Sequence, residues 1–564
     1  MQVDRAVPRE EDSATADPRR WLTFAIVLAA GFMDLLDVTI VNVAVPSIQA
    51  DLGAAYPQIE WIVAAYVLAF AAVLITGGRL GDLYGRKRVF LIGMTGFTIA
   101  SAACGLSSGP EMLIVSRFLQ GIAAGLMVPQ ILAILRVTFP KRERAKAIAV
   151  YSAVCGSATA VGLALGALLV ELNLFDLDWR PIFLVNIPIG ILTLIAGWRV
   201  MPESRSTETA RLDPVGVVLV VAAILLLTYP LTEGRRLGWP AWTFVMMAAS
   251  VAALLLFVRH ARGRRRTVGS ALVDLDLFRS LPFAFGLLSW LLFWICFGGF
   301  FLVWTLLMQV GLGWSPLRAG LTALFFAVAT GVGAAISAGA LAPRFGRRVL
   351  IAGGLVVTAG FAAYGWLVAQ HYGPSITSWQ MMIPLVAIGL GFGLVVAPTI
   401  DLLLGQVPVH EAGAGSGLLN TGQQLGMALG VALVGVVFFG RLDHDSARGI
   451  DQVTPSIRAE LTELGVPAPA QSEIIAGFRA CVQDRLAQID PAEVPASCRE
   501  TGTGDVSVAR VLAAAGERAK SVDFTNTFQY TLAFGIAGMV LMSCGFLALP
   551  RNARLAPEAA AVAQ

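Results

Sequence analysis

The sequence predicts an all-α polytopic membrane protein with fourteen spans, and three observations carry that prediction. Of its 564 residues, 57% are hydrophobic and only 14% charged, where a soluble chain carries about 25% charged residues. Mean hydropathy is +0.74. Many apolar runs reach the roughly 20 residues needed to cross about 30 Å of hydrocarbon.

The spans are expected near 21–45, 58–78, 89–107, 111–136, 147–170, 181–201, 213–231, 241–258, 283–310, 317–341, 348–370, 378–404, 413–440 and 525–548. The first apolar run is too long for the h-region of a cleaved leader and reads as a retained helix. Basic residues then orient the chain. With the N-terminus in the cytoplasm, inner segments hold 27 Lys and Arg, including Arg86-Lys87-Arg88 and the 262–266 stretch. The short outer loops hold four: Arg180, Arg235, Arg236 and Arg318. Both termini are therefore expected on the cytoplasmic side of a plasma membrane. Four Lys against 37 Arg points to a bacterial genome rich in GC.

Cysteine placement agrees with that topology. Cys104, Cys155, Cys296 and Cys544 fall inside spans, where a thiol acts as a small apolar group. Cys481 and Cys498 share the long loop 441–524, on the side of the membrane where disulfides persist. A bridge between them is expected, two free thiols being the alternative. The loop itself reads either as a small helical cap or as linker.

A repeat divides the membrane region. Residues 78–88 (GRLGDLYGRKR) close the second span, and residues 339–348 (GALAPRFGRR) close the tenth. Gly78 and Gly85 match Gly339 and Gly346, and Arg86-Lys87 match Arg347-Arg348. Repeats at corresponding places indicate a duplicated bundle. The expected organisation is a tail at 1–20, a six-helix bundle at 21–201 and an inserted helix pair with its cytoplasmic loop at 202–282. A second bundle at 283–548 includes the 441–524 loop, and a tail at 549–564 follows. In the first copy the glycines permit a tight turn. Asp82, among the cations, can hold a helix end or a basic partner; the second copy has Pro343 in that place.

Charges inside spans are the chemical signal. A carboxylate at a helix centre costs roughly 2.5–3.5 kcal/mol on insertion scales and is kept mainly for function. Asp34 and Asp37 are spaced i, i+3 and share one face of the first helix. Two close carboxylates in low dielectric do not both ionise cheaply, so a proton site is expected there. Asn42 and Thr39 add polar groups to the same helix. Arg117, in the fourth span with Gln120 beside it, needs a carboxylate or a wet cavity because its charge is permanent; Asp37 or Asp34 can supply the former. The other reading has Asp34 merely solvated and Arg117 snorkelling to headgroups. Asn420, Gln423 and Gln424 form an amide stripe in the thirteenth span that either meets substrate or ties helices. Trp290, Phe293, Trp294, Phe297, Phe300, Phe301 and Trp304 cluster in the ninth, read chiefly as packing or lipid-facing groups. No phosphate-binding Gly-x-x-x-x-Gly-Lys-Ser/Thr stretch occurs. The four histidines show no metal-ligand spacing, and the 262–266 basic run reads as a solvated loop without nucleic acid.

With these residues the chain resembles the major facilitator superfamily, specifically its fourteen-span drug:proton antiporter branch. The resemblance rests on 78–88, on 36–46 (LDVTIVNVAVP), on 117–125 (RFLQGIAAG), on 179–190 (WRPIFLVNIPIG) and on 416–426 (SGLLNTGQQLG). It implies a major-facilitator fold of two six-helix bundles plus two inserted helices, with alternating access at a central cavity. It also implies proton-coupled export of hydrophobic or cationic small molecules such as drugs or antibiotics. Asp34, Asp37 and Arg117 would then couple protons. Gly78, Asp82, Gly85, Arg86 and Lys87 would form the conformational motif. Asn42, Gln120, Asn420, Gln423 and Gln424 are candidates for the substrate cavity. Residues 156–167 (GSATAVGLALGA) resemble the fifth-helix antiporter motif but carry Leu163 at its proline and Ala167 at its second glycine. Gly156, Gly162 and Gly166 keep the small-residue packing spacing. No cofactor or metal is expected, the proton gradient being the energy source. The expected partners are protons, a small-molecule substrate and lipid, with the chain a monomer. The competing readings are an uptake permease on the same fold and a non-transporting scaffold or sensor acting through loop 441–524.

Overall fold

The computed structural model describes residues 18–54, 56–205, 213–234, 237–268, 272–273, 275–370, 376–487, 496–500 and 506–548. Among them the chain is helical throughout, without a strand. The N-terminal half comprises α1 (Arg20–Leu52), α2 (Tyr56–Tyr84), α3 (Arg86–Gly105), α4 (Pro110–Thr138), α5 (Lys141–Leu172) and α6 (Pro181–Val200). Two further helices follow, α7 (Pro214–Glu233) and α8 (Ala241–Val268). The C-terminal half begins with α9 (Leu281–Gly311), α10 (Pro316–Phe345), α11 (Arg347–Gln370) and α12 (Ser378–Gln406). It continues through α13 (Ala412–Glu463), α14 (Ala468–Ala487), α15 (Ala496–Glu500) and α16 (Val506–Gly545). Thirteen described helices are long and apolar enough to cross a membrane. The 32-residue α5, packed between α1 and α10, stands where the fifth span is expected.

Small residues set the helix spacing, as apolar helices in lipid gain little from burial and associate through close packing. A Cβ on Gly121 or Gly125 of α4 would strike the backbone carbonyls of Tyr66 and Phe70 on α2. The same contact recurs in the other half, where Gly389 and Gly393 of α12 meet the carbonyls of Phe326 and Thr330 on α10. Both glycine pairs are four residues apart and both face carbonyls four residues apart. The duplication expected from the 78–88 repeat is thus a duplication of packing as well. The halves meet through α5 against α10 and α12, and through α2 and α4 against α13.

The inserted pair lies over the seam between halves. Val220 and Ile224 of α7 and Phe257 and Ala261 of α8 pack with Ala71 and Ile75 of α2. Leu418 and Leu425 of α13 join them. The outward side of the pair is apolar and exposed, as at Val218, Leu254 and Leu255, which suits a lipid-facing surface.

The long loop before the last span resolves in favour of the helical cap. α13 runs 52 residues without a break, about 78 Å at 1.5 Å per residue, and so extends well past the membrane region. Ile450, Val453, Ile457 and Leu461 recur at helical spacing on its extension. With Ile475 and Phe478 of α14 and Val508, Leu512, Ala515 and Ala519 of α16 they form a separate apolar core. A disulfide joins Cys481 to Cys498, tying α14 to α15.

Candidate functional site

The charged residues of the first and fourth spans come together inside the N-terminal half. Asp37 of α1 has no exposed surface. Its Oδ2 accepts from Arg117 Nη1 at 2.5 Å. Its Oδ1 accepts from Gln120 Nε2 and from Asn186 Nδ2, each at 2.9 Å. Arg117 also donates from Nη1 to Gln120 Oε1 at 2.8 Å and from Nε to the Ile62 carbonyl at 3.3 Å. Its guanidinium lies 4.3 Å from the Tyr66 ring centroid and 5.7 Å from that of Phe183. Asn186 donates onward to Ser101 Oγ at 3.0 Å. Five helices of the half therefore converge on one ion pair.

Such a pair is expensive to bury and survives only with excellent geometry and further hydrogen bonds. The register supplies both. Arg117 and Gln120, at i and i+3, share one face of α4, and Gly121 beside them brings α2 close enough for Tyr66 to stack. The snorkelling geometry for Arg117 is excluded, since it is buried and paired with acid.

Asp34, one turn before Asp37, is also buried rather than solvated, keeping 4% of its surface exposed. Its Oδ1 accepts from the Tyr66 hydroxyl at 2.5 Å. Thr39 hydrogen-bonds carbonyls of its own helix, and Gly162 of α5 packs on its hydroxyl, as Gly166 does on Ile40. Asn42, Gly156, Leu163 and Ala167 lie outside the residues whose side chains are described.

A second polar cluster sits where the halves meet. Asp82 is fully buried and accepts from Arg86 Nη2 at 2.6 Å. Its two oxygens also take the backbone N–H groups of Gly413 and Ala414, each at 2.9 Å. These are the unsatisfied donors of the first turn of α13, at the positive end of its dipole. Asp82 thus holds both a basic partner and a helix end, and it ties the two halves together. Gly78 lies against the Gly413 carbonyl with no room for a Cβ, and Gly85 turns the chain at φ 106°. Lys87 caps the Trp198 carbonyl at 2.8 Å. Nearby, Arg144 of α5 pairs with Asp401 of α12 at 2.7 Å, and Arg136 of α4 donates to the Val407 carbonyl. All of these ties between halves lie near the face that carries the basic loops.

The other predicted residues separate. Gln120 belongs to the ion pair. Asn420 is buried and donates to the Ser416 carbonyl of its own helix; Gln423 and Gln424 are half-buried. Trp290, Phe293, Trp294, Phe297, Phe300 and Trp304 are buried in the C-terminal half, so they are packing groups and not lipid-facing ones. They form edge-to-face and tilted pairs with Phe326, Phe361 and Phe392. The Trp294 indole N–H is buried there and has no hydrogen-bond partner among the described residues.

Sequence spacing does not select Tyr66, Ser101 or Asn186. Asn186 offers one signal, an amide inside an apolar run. Tyr66 and Ser101 offer none, because their roles depend on which helix faces which.

Comparisons with known proteins bear on the family and the fold. The family model described as Major Facilitator Superfamily matches residues 27–431. A probable actinorhodin transporter of Streptomyces coelicolor is 38% identical, over 97% of this chain and 95% of that protein. A tetracenomycin C resistance and export protein of Streptomyces glaucescens is 35% identical, over 80% of this chain and 84% of its own. Among solved structures, the human organic anion transporter MFSD10 (TETRAN) superposes with a TM-score of 0.54 at 18% identity. That alignment covers 74% of this chain and 94% of the other, and it speaks for the fold.

Proposed function

The chain belongs to the Major Facilitator Superfamily, and from that premise we propose that it exports hydrophobic or cationic small molecules, antibiotics among them, in exchange for protons. The observation that carries this reading is the buried set of Asp34, Asp37 and Arg117. Ionisable groups away from lipid and from bulk water are what a proton-driven carrier needs and a scaffold does not. The name of the Streptomyces glaucescens relative, a resistance and export protein, supports export over uptake.

In this reading the basic face is cytoplasmic, with both termini on that side. The Asp82 latch, the Arg144–Asp401 pair and the Arg136 contact hold that face shut. Opening it requires Asp82 to release the start of α13, and alternation of the two faces carries substrate across. Each proton moving down 100 mV releases about 2.3 kcal/mol before any pH term. The gradient is thus the energy source, and the monomer is the working unit without a cofactor.

The test is accumulation of tetraphenylphosphonium and of a panel of cationic dyes in energised cells. Cells expressing the protein should accumulate less of at least one compound. A protonophore should abolish the difference, and Asp37→Asn should shrink it at equal expression. Efflux indifferent to the protonophore would sink the coupling.

A further inference from the structure

Asp34 and Asp37 share a helix face, yet the fold gives them opposite surroundings. Both Asp37 oxygens are engaged, one by a guanidinium and the other by two amide N–H groups. Three donors, one of them charged, balance a full carboxylate charge. Asp37 has no exposure at all. Asp34 keeps a 4% opening, and the hydrogen bond it accepts comes from a neutral donor, Tyr66. Among the described residues no cation forms an ion pair with it. The groups facing it are Asp37 on its own helix, Tyr66 from α2, Arg117 from α4, and Tyr151 and Cys155 from α5. The nearby cation, Arg117, is committed to Asp37. Two carboxylates set against one guanidinium are electrically complete when they hold one proton between them.

Resting on the proton-coupled reading above, we propose that this proton is carried by Asp34, while Asp37 and Arg117 stay ionised and paired through the cycle. Asp34 takes the proton from water in the passage and returns it to water when substrate is bound. Tyr66 keeps its own proton and holds the carboxyl in place. The residue that matches the family's first-helix stretch would then be a fixed counter-ion, and the additional one the carrier. The chemistry favours this division, because removing charge from Asp37 would leave a buried guanidinium without its paired carboxylate, whereas protonating Asp34 leaves no charge unpaired.

The test reads protonated carboxyl groups directly. Infrared difference spectra of the purified full-length protein, taken between acidic and alkaline pH, should show a carboxylic-acid C=O band from a buried site. Asp34→Asn should remove that band, and Asp34→Glu should keep it at a shifted frequency. A band that persists in Asp34→Asn, or does not move in folded Asp34→Glu, overturns the assignment even if the Asn variant folds poorly. Coupling is tested separately by proton release from wild-type proteoliposomes on addition of tetraphenylphosphonium or of whichever panel dye the cells export. A band that obeys these substitutions with no proton release would refute coupling and leave Asp34 assigned. With coupling intact, proton release should be lost in Asp34→Asn and regained in Asp34→Glu.

Discussion

The two halves share one packing scheme and put different chemistry into it. Gly121 and Gly125 sit against α2 as Gly389 and Gly393 sit against α10. In that common register Arg117, four residues before Gly121, corresponds to Leu385, and Gln120 corresponds to Ile388. Tyr66, whose carbonyl meets Gly121, corresponds to Phe326. All six are buried. One half thus spends its interior on an ion pair, and the other fills the same places with aliphatic and aromatic groups. The contrast extends to the basic face. Gly85 and Gly346 both turn the chain at positive φ. Asp82 in the first turn is buried and bridges the halves, whereas Pro343 in the second is exposed. The frame is thus duplicated, and a handful of side chains place a buried ion pair in one half where the other has none at the equivalent positions. The other half fills the equivalent places with apolar packing.

The contrast predicts its largest effect at the ion pair. Asp37→Leu or Arg117→Leu alone strands a buried charge and should lower stability by about 3–5 kcal/mol. The double variant makes the first half resemble the second and should recover most of that loss while remaining inactive in transport. Thermal unfolding followed by size-exclusion fluorescence decides this; a double variant no more stable than the singles would mean that the pair is not the unit. Next, opening the Cys481–Cys498 bridge with serines releases a loop whose closure is worth about 3 kcal/mol in the chain-entropy model. Hydrogen exchange should rise in α14 and α15 and stay unchanged in α1 and α4.

Asp82→Asn should weaken charge-assisted bonds worth about 1.5–3 kcal/mol. Spin-label distances across the basic face should shift toward open forms. Pro343→Asp, its mirror in the second copy, should leave those distances where they are. Equal responses from the two copies would erase the asymmetry between the halves. The smallest effect is expected at Trp294→Phe. A buried donor without a partner is itself unfavourable by about 1–3 kcal/mol, so its removal should leave stability within about 1 kcal/mol of wild type or raise it. A fall in efflux at unchanged stability would place that indole N–H against substrate in another conformation.

Much of this is legible in the sequence itself. Hydropathy runs near 20 residues fix where helices cross, because a backbone in lipid must satisfy its own hydrogen bonds. Repeated glycine turns announced two halves, and acids and a guanidinium inside apolar runs announced buried chemistry, because each is too costly to keep there idly. What the chain alone could not decide was partnership. The i, i+3 spacing places Asp34 and Asp37 on one face but leaves open which of them meets Arg117, since that depends on the rotation of α1 against α4. Asn186 and Tyr66 enter the site only because α6 and α2 are packed with particular faces inward. Asp82 finds the start of α13 more than three hundred residues away. Local sequence determines which groups are expensive to bury; the three-dimensional packing of helices determines which other group makes each burial affordable.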